Sequence, residues 1–366
     1  MFKHVDTIQE VKTIIEQNSS NVAFIVGNGI NRYNNDNALS WDELLVKLWN
    51  GTQNDCKKHV FDGVSFTEFY DILEMRCKVD VLREKEIFGY PMASITKCLE
   101  IQKNAFINSN FFDNYPSWLR KKTLADLDLS LQQAKLSEAK YNLQQYIATE
   151  LEQWPDNIQV GPFVQKAIDL NAPILTTNYD NTLERFIRDK ISLGKLGDDK
   201  FTSYYPWSSY YSTQSISSPL YGFAIWHING MIKYPRSIIL GLSQYMGAVA
   251  RARKWIQGSS GEELFNGKNS INWKGRNTWL HIIFNKKLFI FGLALNENET
   301  FLRWLLVQRA KYMKMYRNNT RETGWYIAKK GEFDKQPGKR FFLENVGFRI
   351  ITLPSYKNIY VDIWNK

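Results

Sequence analysis

A series of short apolar runs, each followed at once by glycine or polar residues, constrains the fold of this chain most. The first, VAFIV at 22–26, is β-rich and leads directly into a glycine turn. The others lie at 173–177, 224–227, 237–240 and 288–291. Segments with helical periodicity separate them, for example at 181–189 and 300–316. Short apolar strands that alternate with helices predict an α/β fold, a Rossmann-like doubly wound parallel sheet.

The stretch between residues 51 and 150 has a different pattern. Three segments space their apolar residues as helices do and carry few strand signals: DILEMRCKVDVLREKE, SWLRKKTLADLDLSLQQAKL and EAKYNLQQYIATELEQW. We therefore predict a helical insertion at 51–150. It would interrupt a Rossmann-like core formed by residues 1–50 and 151–366.

Charge and cysteine content narrow the classes of partner. Lys and Arg number 47 against 37 Asp and Glu, a net charge of +10 that favours acidic partners such as nucleotides, nucleic acid or an acidic protein surface. The three cysteines include no C-x-x-C pair, so a four-thiolate zinc site within one chain is excluded and we expect no metal. No apolar run approaches the length of a signal peptide or a membrane span, so we expect a soluble, cytoplasmic protein without a membrane partner.

The strand ends carry the residues with chemical potential, because ligands of doubly wound sheets bind outside the carboxyl ends of the strands. Gly27 and Gly29 would let backbone amides approach a pyrophosphate, although a tight strand-to-helix turn also uses such glycines. Asn178 and Asp180 lie two residues apart after a buried strand, where both can face one pocket or cap the next helix. His227 ends another strand and could relay a proton, or it could be a core residue packed beside its tryptophan neighbour.

Together these motifs resemble the sirtuin-like family, in its bacterial NAD-cleaving branch used in anti-phage defence. The resemblance lies in the order G-N-G-I-N, T-T-N-Y-D-N-T-L-E, a strand-end histidine near glycine, and F-G-L-A-L-N-E-N-E. Asn28 and Asn31 stand where the family usually has Ala and Ser. Family members often have His directly before Gly, whereas Ile228 and Asn229 intervene here.

The resemblance implies that NAD is the substrate and that it is cleaved to nicotinamide and ADP-ribose. It implies catalytic roles for Asn178, Asp180 and His227. The residues that it implies for NAD binding are Gly27, Asn28, Gly29, Asn31, Thr177, Gly292 and Asn296. It also implies NAD depletion in defence, a homo-oligomer, and activation by assembly or by a partner such as a HerA-type ATPase.

Specific roles follow for the three catalytic residues. Asn178 would hydrogen-bond the ribose or the attacking water, and Asp180 would hold the nicotinamide amide or order its loop. His227 would accept a proton from a ribose hydroxyl or from the water. We expect Asn178 and His227 to face a pocket and not the packed interior.

Two other classes of function remain as alternatives. The first is an NAD-dependent protein deacylase or ADP-ribosyltransferase, although a deacylase of the sirtuin type usually carries a four-cysteine zinc ribbon. The second is a non-catalytic nucleotide- or nucleic-acid-binding module that uses the basic, aromatic stretches 251–255 and 309–317. Nucleic acid is the less favoured partner, because both stretches are equally good as exposed helix faces.

Overall fold

The structure is a computed structural model that describes residues 7–34, 41–51, 63–83, 94–108, 116–154, 158–197, 202–266, 272–297, 299–316 and 323–365. The chain divides into two compact units, one of Met1–Leu39 with Leu151–Lys366 and one of Ser40–Glu150. No helix among the described residues combines the length and the apolar composition needed to cross a lipid bilayer.

The first unit is built on an eight-stranded mixed sheet in the order β3-β4-β5-β2-β1-β6-β7-β8. The strands are β1 (Val22–Val26), β2 (Ile174–Thr176), β3 (Ser192–Lys195), β4 (Ser209–Ser212), β5 (Ile225–His227), β6 (Lys287–Phe291), β7 (Gly324–Lys329) and β8 (Phe348–Leu353). The six strands from β5 to β8 in that order are parallel, while β3 and β4 pair antiparallel at one edge. Counted along the chain, the parallel strands lie in the order 3-2-1-4-5-6, which is the Rossmann order. The predicted fold class is confirmed.

The helices of the first unit cover both faces of this sheet, and the other helices form the second unit. Those of the first unit are α1 (Ile8–Gln17), α2 (Gly29–Arg32), α7 (Gly161–Asp169), α8 (Thr182–Arg185), α9 (Leu242–Gln257), α10 (Leu280–Asn285), α11 (Thr300–Tyr316) and α12 (Pro337–Asn345). Those of the second unit are α3 (Trp41–Asn50), α4 (Phe66–Leu82), α5 (Ser94–Asn108) and, up to Glu150, α6 (Ser117–Glu152).

The central strands are apolar on both faces because each face packs on its own core. In β1, Ala23 and Ile25 point into one cluster with residues of α9, α10 and α11, while Val22, Phe24 and Val26 point into the other. The second cluster contains residues of α1 and α7 and the C-terminal Trp364, whose ring lies 5.7 Å from that of Phe24. Burial on both sides explains why these strands read as continuous apolar runs and not as alternating ones.

The second unit is helical throughout its described part, as the pattern predicts. α4 begins with a capping box, since Ser65 Oγ accepts a hydrogen bond from the amide of Glu68 and the Glu68 carboxylate accepts one from the amide of Ser65. The two helical segments recognised around residues 117–136 and 138–154 form one continuous helix of 36 residues.

Three local predictions differ from the structure. The strand expected at 237–240 is wrong, because its backbone bonds elsewhere: the amide of Ile239 donates to Asn229 O and that of Leu240 to the Gln244 side chain. The helix expected at 181–189 is a single turn, α8. The edge hairpin β3–β4 was missed, because its strands are polar and aromatic and carry no apolar run.

Arg309 was a candidate phosphate contact in the stretch 309–317, and the structure places it in the core instead. Its guanidinium is 1% exposed and donates to the carbonyls of Ile283, Lys286 and Thr323 and to Thr323 Oγ1 at 2.6–2.9 Å. These bonds join the end of α10 to the start of β7. Arg309 is therefore unavailable to a phosphate.

We expect Arg309→Met to lower the free energy of unfolding by about 3 kcal/mol or more, because it removes four hydrogen bonds to groups of Ile283, Lys286 and Thr323 in the interior. Arg340→Met is the matched control, since among the described residues the Arg340 side chain makes only a half-exposed pair with Glu344, whose loss should cost at most about 1 kcal/mol. Urea unfolding followed by tryptophan fluorescence measures both. Equal effects of the two variants would contradict the structural role of Arg309.

Candidate functional site

The turns after β1 and β6 meet at the point where the strand order of the parallel sheet reverses. The amide of Gly29 donates to Gly292 O at 2.8 Å, and the amide of Gly27 donates to Phe291 O at 3.4 Å. A Cβ on Gly27 would lie 2.7 Å from Gly292 O, and one on Gly29 would collide with the Tyr360 hydroxyl and lie 2.9 Å from Gly292 Cα. Gly292 itself has a φ of +64°. The glycines thus allow two turns to touch, and their predicted approach to a phosphate stays a prediction.

Asn178 follows β2, and its side chain contacts the glycine turn after β1. Its side chain is 3% exposed, its Nδ2 donates to Gly27 O at 3.3 Å, and its backbone amide donates to Thr176 Oγ1 at 3.0 Å. The parallel pairing of β1 with β2 brings the two turns to the same edge of the sheet. The structure therefore brings Asn178 and the glycine turn together.

Asp180 joins the same two turns through its carboxylate. Its Oδ2 accepts a hydrogen bond from Asn31 Nδ2 at 2.6 Å, and its Oδ1 accepts one from the amide of Thr182 at 3.0 Å. The second bond satisfies the first amide of α8, although the N-cap position of this single turn is Asn181, whose side chain makes no capping bond. The side-chain amide of Asn31, in the glycine turn, therefore holds the carboxylate of Asp180.

His227 is completely buried, with no exposed surface, and both of its ring nitrogens face protein groups. Nδ1 lies 2.9 Å from the backbone oxygen of Asn178, and Nε2 lies 2.6 Å from Glu184 Oε1. The expectation that His227 faces a pocket is therefore wrong: no ring nitrogen is free. Accepting a proton from a substrate would require one of these two contacts to break.

The charge state of His227 follows from these contacts. Burial by itself lowers the pKa of the ring, but the charge of Glu184 and the hydrogen bonds to Glu184 and Asn178 outweigh it, so the pKa lies above its ordinary value. The hydroxyl of Tyr204 donates to the backbone oxygen of His227 at 3.4 Å. Burial and the charge of Glu184 raise the pKa of Tyr204 well above its usual range, so that hydroxyl keeps its proton.

Four buried polar atoms around these turns have no hydrogen-bond partner among the described residues. They are Asn28 Nδ2, Asn31 Oδ1, Asn178 Oδ1 and Glu184 Oε2. A buried polar atom without a partner costs about 1–3 kcal/mol, so these atoms call for hydrogen-bond partners from outside the described protein, from a ligand or from water. Three of the four are acceptors, and they therefore fit a ligand that brings several donors.

Residues 172–351 match the SIR2-like domain family. The match covers just under half of the chain, runs from the start of β2 into β8, and includes Asn178, Asp180, Glu184, His227 and Gly292. It supports a sirtuin-like family for this protein. No curated protein matches the chain.

SIR2-like domains use NAD, and the unpartnered atoms fit this molecule. The ribose hydroxyls and the carboxamide of nicotinamide supply the hydrogen-bond donors that Asn31 Oδ1, Asn178 Oδ1 and Glu184 Oε2 lack. Phosphate oxygens only accept, so of the four atoms only Asn28 Nδ2 suits them. Groups of three or more potential metal ligands do not occur among the described residues.

The remaining candidates are less closely tied to this cluster. Thr177 is buried, and its amide donates to Val26 O at 3.1 Å, which continues the β1–β2 pairing. Asn296 is exposed between β6 and α11, and within the described part of the chain its side chain makes no hydrogen bond to the cluster. Their contribution to NAD binding stays a prediction.

Glu184 is the residue that sequence reasoning missed. It is the last residue of the T-T-N-Y-D-N-T-L-E segment, six positions after Asn178. The signal available in the sequence was a glutamate eight residues after the end of β2, together with a histidine at the end of another strand, β5. Only the pairing of β2 with β5, with Thr176 opposite His227, places the two side chains together.

We expect Gly29→Ala to destabilise the protein by about 1–3 kcal/mol, because its Cβ would push against the backbone of Gly292. Gly247→Ala is the control, since Gly247 lies in α9 with open space around it and should gain up to about 1 kcal/mol of helix propensity. Thermal unfolding compares the two. A Gly29→Ala protein as stable as the wild type would show that the two turns do not need this close approach.

Proposed function

We propose that this protein is an NAD+ glycohydrolase, which cleaves NAD+ to nicotinamide and ADP-ribose. The observation that carries the proposal is the set of buried acceptors without partners at the carboxyl ends of β1 and β2. They lie beside the switch point of a Rossmann sheet, the region in which such folds bind nucleotides. The match to SIR2-like domains, which use NAD, supports the same ligand.

Hydrolysis of NAD+ requires little of the protein beyond orientation of the ribose and the attacking water. A water oxygen bonds to C1′ of the ribose, the bond from C1′ to the nicotinamide nitrogen breaks with its electron pair going to nicotinamide, and one proton is released. The nicotinamide group of NAD+ is a cationic pyridinium, and it leaves as a neutral molecule. Its departure therefore does not need the general acid that one carboxyl group supplies in glycosidases. Holding the ribose and admitting one water account for most of the catalysis required.

Asn178 is the residue that we place against the ribose or the attacking water. Its Oδ1 is buried and unpartnered among the described residues, while its Nδ2 and backbone are held by Gly27 and Thr176. For Asp180 the bonds to Asn31 and Thr182 favour ordering of the loop over a contact with the nicotinamide amide. The contacts of His227 favour a place behind Asn178 over direct proton acceptance.

The biological role that we propose is depletion of NAD in anti-phage defence. The T-T-N-Y-D segment, which resembles the defence branch of the family, supports it. An unrestrained NADase would harm its own cell, so we propose control by homo-oligomeric assembly or by a partner such as a HerA-type ATPase. Deacylation and ADP-ribosyl transfer use the same cleavage of NAD and differ only in what attacks C1′.

Asn178→Ala tests the proposal. We expect nicotinamide release from NAD to fall about a hundredfold or more, the usual scale for losing a group that stabilises developing charge or moves a proton. Thermal stability should change little, because only one long side-chain hydrogen bond is lost. Chromatography of free nicotinamide, with and without candidate partners, measures turnover, and calorimetry of NAD binding measures the site in the isolated chain.

Asn345→Ala is the matched control, because Asn345 also makes one side-chain bond to a backbone oxygen but lies exposed on α12. It should keep wild-type turnover and binding. Nicotinamide release by Asn178→Ala at the wild-type rate would overturn the assignment. Transfer of ADP-ribose to protein in place of its release into solution would favour the transferase alternative.

A further inference from the structure

We propose that Glu184 is a positioning residue of this site, which holds His227 so that the histidine fixes the backbone of Asn178. The inference rests on the proposed function, since it concerns how the Asn178 side chain is aimed at the substrate. It adds a residue to which neither the motifs nor the family match assign a role.

His227 acts as a brace, which here means that its ring contacts both ends of one short segment. Asn178 and Glu184 lie at the two ends of the segment between β2 and the end of α8, here called the β2–α8 segment (residues 178–184). His227 comes from the neighbouring strand and contacts both ends, Asn178 O at 2.9 Å and Glu184 Oε1 at 2.6 Å. The imidazole ring therefore sets the distance between the two ends of the segment.

His227 can serve as a rigid brace because its own position is fixed. β2 and β5 are parallel partners with Thr176 opposite His227, and the amide of Ile228 donates to Thr176 O at 3.0 Å. The ring itself has no exposed surface. Rotation about its side-chain bonds is limited by this burial and by the two bonds of the ring, from Nδ1 to Asn178 and from Nε2 to Glu184.

The hydrogens that the His227 ring must carry define the role of Glu184. A backbone oxygen only accepts, so the bond to Asn178 O requires a hydrogen on Nδ1. A carboxylate at Nε2 favours a second hydrogen there, which makes the ring an imidazolium that donates at both ends. The ring then has no lone pair for catalysis, and its effect on the reaction passes through Asn178.

Asn178 depends on this brace because it has few other restraints. Its Nδ2 bond to Gly27 O is long at 3.3 Å, and its Oδ1 is unpartnered within the described chain. The backbone bonds to Thr176 Oγ1 and His227 Nδ1 therefore set the direction of the amide. A displacement of about 1 Å at such a group costs on the order of a hundredfold in rate.

Other charged and titratable groups around His227 are few among the described residues. Asp180 adds negative charge from the β2–α8 segment and raises the pKa of the ring further. The hydroxyl of Tyr204 bonds the backbone oxygen of His227, and the Tyr211 ring lies edge-on with centroids 6.5 Å apart. Glu184 therefore provides the one carboxylate in direct contact with the ring in the described part of the chain.

Three variants of this chain test the proposal. Glu184→Leu removes the partner of Nε2 and should lower kcat for NAD about tenfold to a hundredfold with little change in KM. Glu184→Gln restores a hydrogen-bonding partner and should recover most of that loss. Glu263→Leu is the matched control: it also removes a buried carboxylate, one that bonds Ser260 and Asn266, and should lower stability while leaving kcat of the folded protein unchanged.

Nitrogen NMR of labelled histidine provides a readout that does not require activity. The chain has four histidines, and His227→Gln identifies the signal of His227. In the wild type this ring should stay doubly protonated above the pH at which a free imidazole titrates, and in Glu184→Gln it should lose its second proton at lower pH. A merely structural Glu184 would lower the melting temperature without moving this titration or kcat.

The outcomes separate the two proposals. A folded Glu184→Leu protein with wild-type kcat, or a wild-type His227 that titrates like free imidazole, overturns the positioning role. If the wild type neither binds nor cleaves NAD, the proposed function fails, and the NMR titration still decides whether Glu184 holds His227. Loss of kcat with Glu184→Leu, recovery with Glu184→Gln and the shifted titration together support it.

Discussion

The contact between the turns after β1 and β6 is the constraint on which the site depends. β1 pairs with β2 on one side and β6 on the other, so the chain that leaves it must pass through a narrow gap. Gly27 and Gly29 have no Cβ, and any Cβ there would collide with Gly292 or the residues around it. This close approach leaves Gly27 O where Asn178 can bond it.

From that contact a chain of hydrogen bonds extends through three strands of the sheet. Gly27 accepts from Asn178, the backbone of Asn178 accepts from His227, and His227 is paired with Glu184. Asn31 and Asp180 make a second link between the β1 and β2 turns. The polar atoms left over at the end of these links are mostly acceptors, which is why a ligand rich in hydroxyl and amide donors fits here.

The two asparagines of the glycine turn, Asn28 and Asn31, have a physical role in the structure. Asn31 donates to the carboxylate of Asp180 and leaves its own Oδ1 unpartnered among the described residues. Asn28 adds a buried donor at the same edge of the sheet. Both side chains therefore add hydrogen-bonding capacity to the candidate site and do not merely fill space.

The sequence by itself determined the fold class, β1 at 22–26, the helix at 300–316 and the helical nature of 51–150 where it is described, because these depend on local periodicity. It also placed Asn178, Asp180 and His227 at strand ends, since parallel strands end at one edge. It did not reveal the environment of His227 or the role of Glu184, because both depend on the pairing of β2 with β5 and on one turn of helix that returns the carboxylate to the neighbouring strand. Nor did it reveal that Arg309 is a core residue, because burial of a charged side chain is decided by the carbonyls that other elements bring to it.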